Sequence, residues 1–108
     1  MTTHLLNSAM MPKPGTYTMH AISSEEFFRL FIDAMMGDGL INCIGYAQNL
    51  EMLAAETGIR LKTSREQTHI EAGDAMLIMR LKYRVEGIKG RSVNPADFEF
   101  FRAEYRAG

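Results

Sequence analysis

Two stretches of this 108-residue chain combine residue types and spacing that could do chemistry. In the first, Leu77, Met79, Leu81, Tyr83 and Val85 alternate with Met76, Ile78, Arg80, Lys82 and Arg84. Side chains along a strand point to opposite faces in turn, so this period predicts one apolar face and one that ends in three cations. Guanidinium forks match phosphate oxygens two at a time, which makes such a row a candidate phosphate-binding edge. A solvated sheet end is the plainer reading. The second stretch is Ile44-Gly45-Tyr46, placed where a strand passes into a helix. Free N–H groups and the positive end of the helix dipole suit that junction to an anion, and Gly45 lets a ligand approach the backbone. The spacing is neither G-x-G-x-x-G nor a P-loop, and a Tyr46 that simply packs at a helix start is the competing reading.

What is missing narrows the chemistry further. No nucleophile elbow, H-E-x-x-H or Asp-rich loop occurs. Cys43, His4, His20 and His69 show no i, i+3 or i+4 spacing, so neither a metal site nor a cofactor is expected. A lone Cys43 builds no disulfide framework, and residues 1–20 carry no basic start followed by an apolar stretch; both point to the cytoplasm. The longest apolar run, Ala75 to Met79, is far short of the roughly 20 residues of a membrane span, so no membrane partner is expected. The methionine-rich stretches read as core filler.

Charge divides the chain. The net charge is −1, from 12 basic and 13 acidic residues, yet ten of the basic ones lie after residue 57. Long DNA or RNA needs a broad basic footprint, which this total does not supply. A local cationic patch fits a ligand with a few phosphates instead.

The elements that must position these residues follow from periodicity and caps. His4 to Asn7 and Thr16 to Ile22 read as strands, separated by Pro12-Lys13-Pro14-Gly15. Ser23-Ser24-Glu25-Glu26 is a capping box that opens a helix with Phe27, Leu30, Phe31, Ala34 and Met35 on one face. Leu40 to Ile44 is a short strand, and a second helix carries Leu50, Leu53 and Ala54 before Gly58. Ile59 to Ile70 alternates weakly and, through the turn Glu71-Ala72-Gly73-Asp74, forms a hairpin with the strand Ala75 to Val85. Asn94-Pro95 then predicts a last helix striped by Phe98, Phe101 and Tyr105. The order is ββαβαββα: one α/β (α+β) domain over residues 1–108, with a mixed sheet of about five strands flanked by helices.

In this order the residues resemble a known family. Leu5-Leu6-Asn7-Ser8-Ala9-Met10, Ile44-Gly45 before a helix, Arg65, Gly73-Asp74-Ala75-Met76-Leu77-Ile78, Arg84 and Glu86-Gly87 together look like the small viral ring nucleases, which act as anti-CRISPR proteins. The resemblance covers about residues 4–90. It implies a homodimer with a central sheet, which binds cyclic tetra-adenylate across its interface and cuts it without a metal. It also implies roles for a histidine after Ile-Gly, for an Arg and a Glu at the end of the long strand, and for an Arg in the strand before it.

Two positions depart from that pattern. Tyr46 stands where the family has its histidine. A phenol ordinarily keeps its proton at neutral pH, so it can donate one but is a poor base. The family's Arg-x-x-Glu is shortened to Arg84-Val85-Glu86, and in a strand a one-residue change turns a side chain to the other face. The expectation is a counter-defence protein that sequesters a cyclic oligonucleotide or related immune signal in the host cytoplasm. Its ligand-binding set would be Asn7, Ser8, Ile44, Gly45, Tyr46, Arg65 and Arg84. An enzyme using Tyr46 or Glu86 is one alternative. The other is a non-nucleotide interaction protein, which would dock through the Phe98/Phe101/Tyr105 helix.

Overall fold

The computed structural model describes residues 2–7, 15–37, 39–64, 70–82 and 93–106. These form strands β1 (Thr3–Leu6) and β2 (Thr16–Ile22), helix α1 (Ser24–Met36), strand β3 (Leu40–Asn42), helix α2 (Ala47–Thr57), and strands β4 (Ala75–Leu81) and β5 (Phe98–Arg106). The five strands make one mixed sheet in the order β2-β5-β4-β1-β3, an α+β fold. β1 runs parallel to both β3 and β4, while β5 is antiparallel to β4 and β2.

Both helices cover the same face of the sheet. Phe27 and Phe31 of α1, with Leu50, Met52 and Leu53 of α2, bury against Leu5, Leu77, Met79, Phe98 and Phe100. The rings of Phe27 and Phe28 meet Phe100 at 4.8 and 5.7 Å between centroids. A second core on the other face gathers Ile70, Met76, Ile78, Ala103 and Tyr105. β4 is therefore buried on both sides, and its methionines Met76 and Met79 lie in separate cores.

The caps sit where the sequence places them. The Ser23 hydroxyl accepts the Glu26 N–H at 3.1 Å, and Gly58 takes the left-handed conformation at φ 76 to donate to the Ala54 carbonyl. Gly15 is needed for a different reason: a Cβ there would run into the Tyr105 ring.

The chain's last third differs from expectation. Asn94 and Pro95 do open a helical turn, and Asn94 and Asp97 do form a capping box, but the turn ends at Asp97. Phe98–Arg106 continues as β5, between β2 and β4, so no helix carries Phe98, Phe101 and Tyr105. The reason is a switch of buried face. Phe98 and Phe100 point to the helix side, Ala103 and Tyr105 to the other, and that shift imitates an i, i+3, i+7 stripe. The interaction surface expected on that helix is thereby lost.

The expected hairpin is also replaced. Ile59 to Ser64 and Ile70, the described residues of the predicted Ile59–Ile70 strand, form no strand; β4 takes β5 as its antiparallel partner instead. The turn before β4 is present, with Asp74 N–H donating to the Glu71 carbonyl at 3.0 Å. No helix among the described residues is long and apolar enough to cross a membrane.

Candidate functional site

Three parallel strands, β4, β1 and β3, end on the same edge of the sheet. In open sheets of this kind ligands sit beyond the carboxyl ends of the strands. Asn7 follows β1 there, half-buried, and the Cys43 N–H donates to the Leu5 carbonyl at 2.9 Å, carrying the β1–β3 ladder one residue past β3.

The segment between β3 and α2 is held in three ways. Ile44 is fully buried in the helix-side core. Its N–H donates to the Asn42 side-chain oxygen at 3.0 Å, an Asx turn that bends the chain out of the strand. Its carbonyl accepts the Ser64 N–H at 2.8 Å. The Asn42 amide in turn donates to the Lys62 carbonyl at 2.7 Å. The irregular segment Ile59–Ser64 is thereby strapped against the junction, and it carries the exposed Lys62 there.

Beyond this anchor the backbone is open. Tyr46 is the N-cap of α2 in an extended conformation, and its side chain makes no capping bond. Its ring is exposed, at 46%. Among the described residues the N–H groups of Gly45 and Tyr46 donate to no acceptor. No acidic residue occupies the first turn of α2, so the positive end of its dipole meets no carboxylate of its own. Gly45 does not adopt positive φ.

The first turn of α2 also holds a residue that pattern reading passes over. Asn49 is buried to 1% exposure, and its Oδ1 has no hydrogen-bond partner among the described residues. Buried amide oxygens are rarely left unpaired, so Asn49 is a further polar group at this junction. In sequence it reads as one more polar helix residue. Only the direction in which α2 docks turns it inward.

Of the residues expected to form the site, the structure brings Asn7, Ile44, Gly45 and Tyr46 to one edge. Ser8, Arg65, Arg84 and Glu86 lie outside the described residues. The expected row of cations is altered at its first member. The Arg80 guanidinium lies 3.2 Å from the Glu99 carboxylate and 5.1 Å over the Phe101 ring, on the sheet face away from the helices. Lys82, at the end of β4, is exposed, and its N–H donates to the Asp97 carbonyl at 2.9 Å. Among the described residues no three His, Cys, Asp or Glu side chains gather as metal ligands.

The opposite edge, where β1 and β4 begin, is built around a buried His4–Asp74 hydrogen bond. His4 Nε2 lies 2.9 Å from an Asp74 carboxylate oxygen. The same carboxylate accepts the N–H groups of Thr2 at 3.2 Å and Glu71 at 3.1 Å. Gly73-Asp74, one of the blocks that carried the family resemblance, is thus a clamp joining β1, β4 and the turn between Glu71 and Asp74.

The whole arrangement is similar to a solved viral structure. B116 of Sulfolobus turreted icosahedral virus (STIV) superposes with a TM-score of 0.82 at 20% identity, over 96% of this chain and 99% of that one. At that identity the likeness speaks for the fold. No curated protein matches the chain. The STIV B116-like family matches residues 3–105, from the first strand to the end of the sheet. The chain therefore belongs to the STIV B116-like family, which is named for a viral protein.

Proposed function

We propose that this protein is a viral counter-defence factor that captures a cyclic oligonucleotide, or a related nucleotide immune signal, and holds it uncut in the host cytoplasm. The observation that carries the reading is the junction after β3. Two N–H groups with no acceptor among the described residues, on Gly45 and Tyr46, meet the uncompensated start of α2 at an exposed phenol, on the sheet edge where Asn7 follows β1. A phosphate suits the N–H groups, and a base suits the Tyr46 ring; base–aromatic stacking contributes about 1–3 kcal/mol. In this reading Ser8, Arg65 and Arg84 complete the phosphate contacts, and a second copy of the chain supplies the other half of a pocket around a cyclic ligand. Sequestration is favoured over cutting because Tyr46 stands where the ring nucleases carry their proton-donating histidine.

The test is incubation of the purified protein with cyclic di-, tri- and tetranucleotides and ADP-ribose-type signals, followed by denaturation and chromatography of what is released. Intact ligand supports sequestration. Linear products would convert the reading to a ring nuclease using Tyr46 or Glu86. Absence of binding across the panel would end both. Arg84→Ala should weaken binding by about tenfold or more, the scale of a lost charge-assisted phosphate contact; an unchanged affinity in calorimetry removes Arg84 from the site.

A further inference from the structure

At the far end of the sheet from the Gly45–Tyr46 junction lies a cleft of about 810 Å³, which the proposed function leaves unused. That volume is within the range of small-molecule sites. Ala75 and Leu77 of β4 line it from the sheet, and Leu30 and Ala34 of α1 line it from the helix layer. These four side chains offer an apolar bed with no hydrogen-bonding group.

The cations come from β5. Arg102 and Arg106 both line the cleft, and a spacing of four residues, twice the strand period, puts them on the same face of the strand. The Arg102 side chain is 40% exposed, but its Nε is buried and has no hydrogen-bond partner among the described residues. Its terminal nitrogen is 4.0 Å from the Glu104 carboxylate, the outer limit of an ion pair. A buried guanidinium N–H without an acceptor is costly, and native proteins normally satisfy such a group. The cleft also has carboxylates at Glu104 and Asp33, the latter 3.7 Å from Arg29 on the surface of α1. Those carboxylates would repel a ligand with several negative charges, whereas a single charge directed at Arg102 is compatible with them.

We propose that this cleft is a second binding site, for a small amphipathic organic monoanion. Its apolar ring or chain lies on Leu30, Ala34, Ala75 and Leu77, and its carboxylate or sulfonate accepts from Arg102. The site is independent of the nucleotide reading, because it shares no residue with the Gly45–Tyr46 junction.

Two dyes that differ by one charge test it: 1-anilinonaphthalene-8-sulfonate and the uncharged N-phenyl-1-naphthylamine, each titrated into the full chain by fluorescence. Arg102→Gln should weaken the sulfonate dye by about fivefold or more, as expected for one lost charge-assisted hydrogen bond, and leave the neutral dye within about twofold. Ala34→Phe, which fills the cleft, should weaken both. An equal loss of both dyes in Arg102→Gln, or a sulfonate dye indifferent to both substitutions, would overturn the proposal. A measurement on the unaltered protein decides the location independently of how the variants fold. Nuclear Overhauser contacts from the bound sulfonate dye to the Leu30 and Leu77 methyls support the cleft. Contacts to the Met76 and Ile78 methyls, on the opposite face of the sheet, would refute it.

Discussion

Asp74 concentrates three donors on one buried carboxylate: His4 Nε2, the Thr2 N–H and the Glu71 N–H. Burial alone pushes its pKa up, but the hydrogen bonds from His4, Glu71 and Thr2, together with the charge of His4, outweigh burial and hold it below the usual aspartate value. A depressed carboxyl pKa adds stability that is present above the unfolded pKa and is lost as pH falls through the folded one. Asp74→Asn should therefore lower stability at pH 7 by about 1–3 kcal/mol, because two backbone donors and a buried ring lose a charged acceptor. Urea unfolding series should show the gap between variant and parent narrowing once pH falls below roughly 4, the ordinary aspartate range. A gap that is constant with pH would mean that the carboxylate's charge is irrelevant. At the other edge, Tyr46→Ala should cost nucleotide affinity but little stability, since the ring is nearly half exposed. Calorimetry with cyclic tetra-adenylate, paired with a thermal melt, separates the two effects.

Among the elements, β5 decides the most and was the hardest to read in advance. Caps and periodicity were enough for α1, since Ser23 and the Phe27/Phe31 stripe are local signals. β5 changes its buried face halfway, from Phe98 and Phe100 to Ala103 and Tyr105. That change depends on helices packing over only one part of its length, which no local window contains. The residues of the candidate junction divide in the same way. The placement of Gly45 and Tyr46 was legible because a strand end and a helix start adjoin in sequence. That of Asn49 and Lys62 was not, because it comes from the docking of α2 and from the strap onto Asn42. Two substitutions test the packing of β5. Gly15→Ala should destabilise by about 1–3 kcal/mol, since its Cβ would collide with Tyr105, a residue of β5 buried in the sheet. Phe100→Ala should cost about 3–5 kcal/mol, because it removes the ring that meets both Phe27 and Phe28. Thermal or urea melts measure both, and a neutral result at Phe100 would contradict its central place in the helix-side core.

For the whole molecule, the architecture separates two jobs. The carboxyl ends of β1, β3 and β4 hold the open junction, and their amino ends hold the Asp74 clamp and the cleft under α1. A captured nucleotide at one hundred times its Kd should raise the unfolding free energy by about 2.7 kcal/mol. Differential scanning fluorimetry across the signal panel would rank candidates by that shift. The central position of β5 has another consequence, for biosynthesis. The strand lies between β2 and β4 but comes after the other four in sequence, and β1 and β2, which come first, are not neighbours in the sheet. Until Phe98–Arg106 has left the ribosome, a nascent chain therefore leaves β2 without a partner and the inner edge of β4 unpaired, the kind of exposed strand edge that favours aggregation.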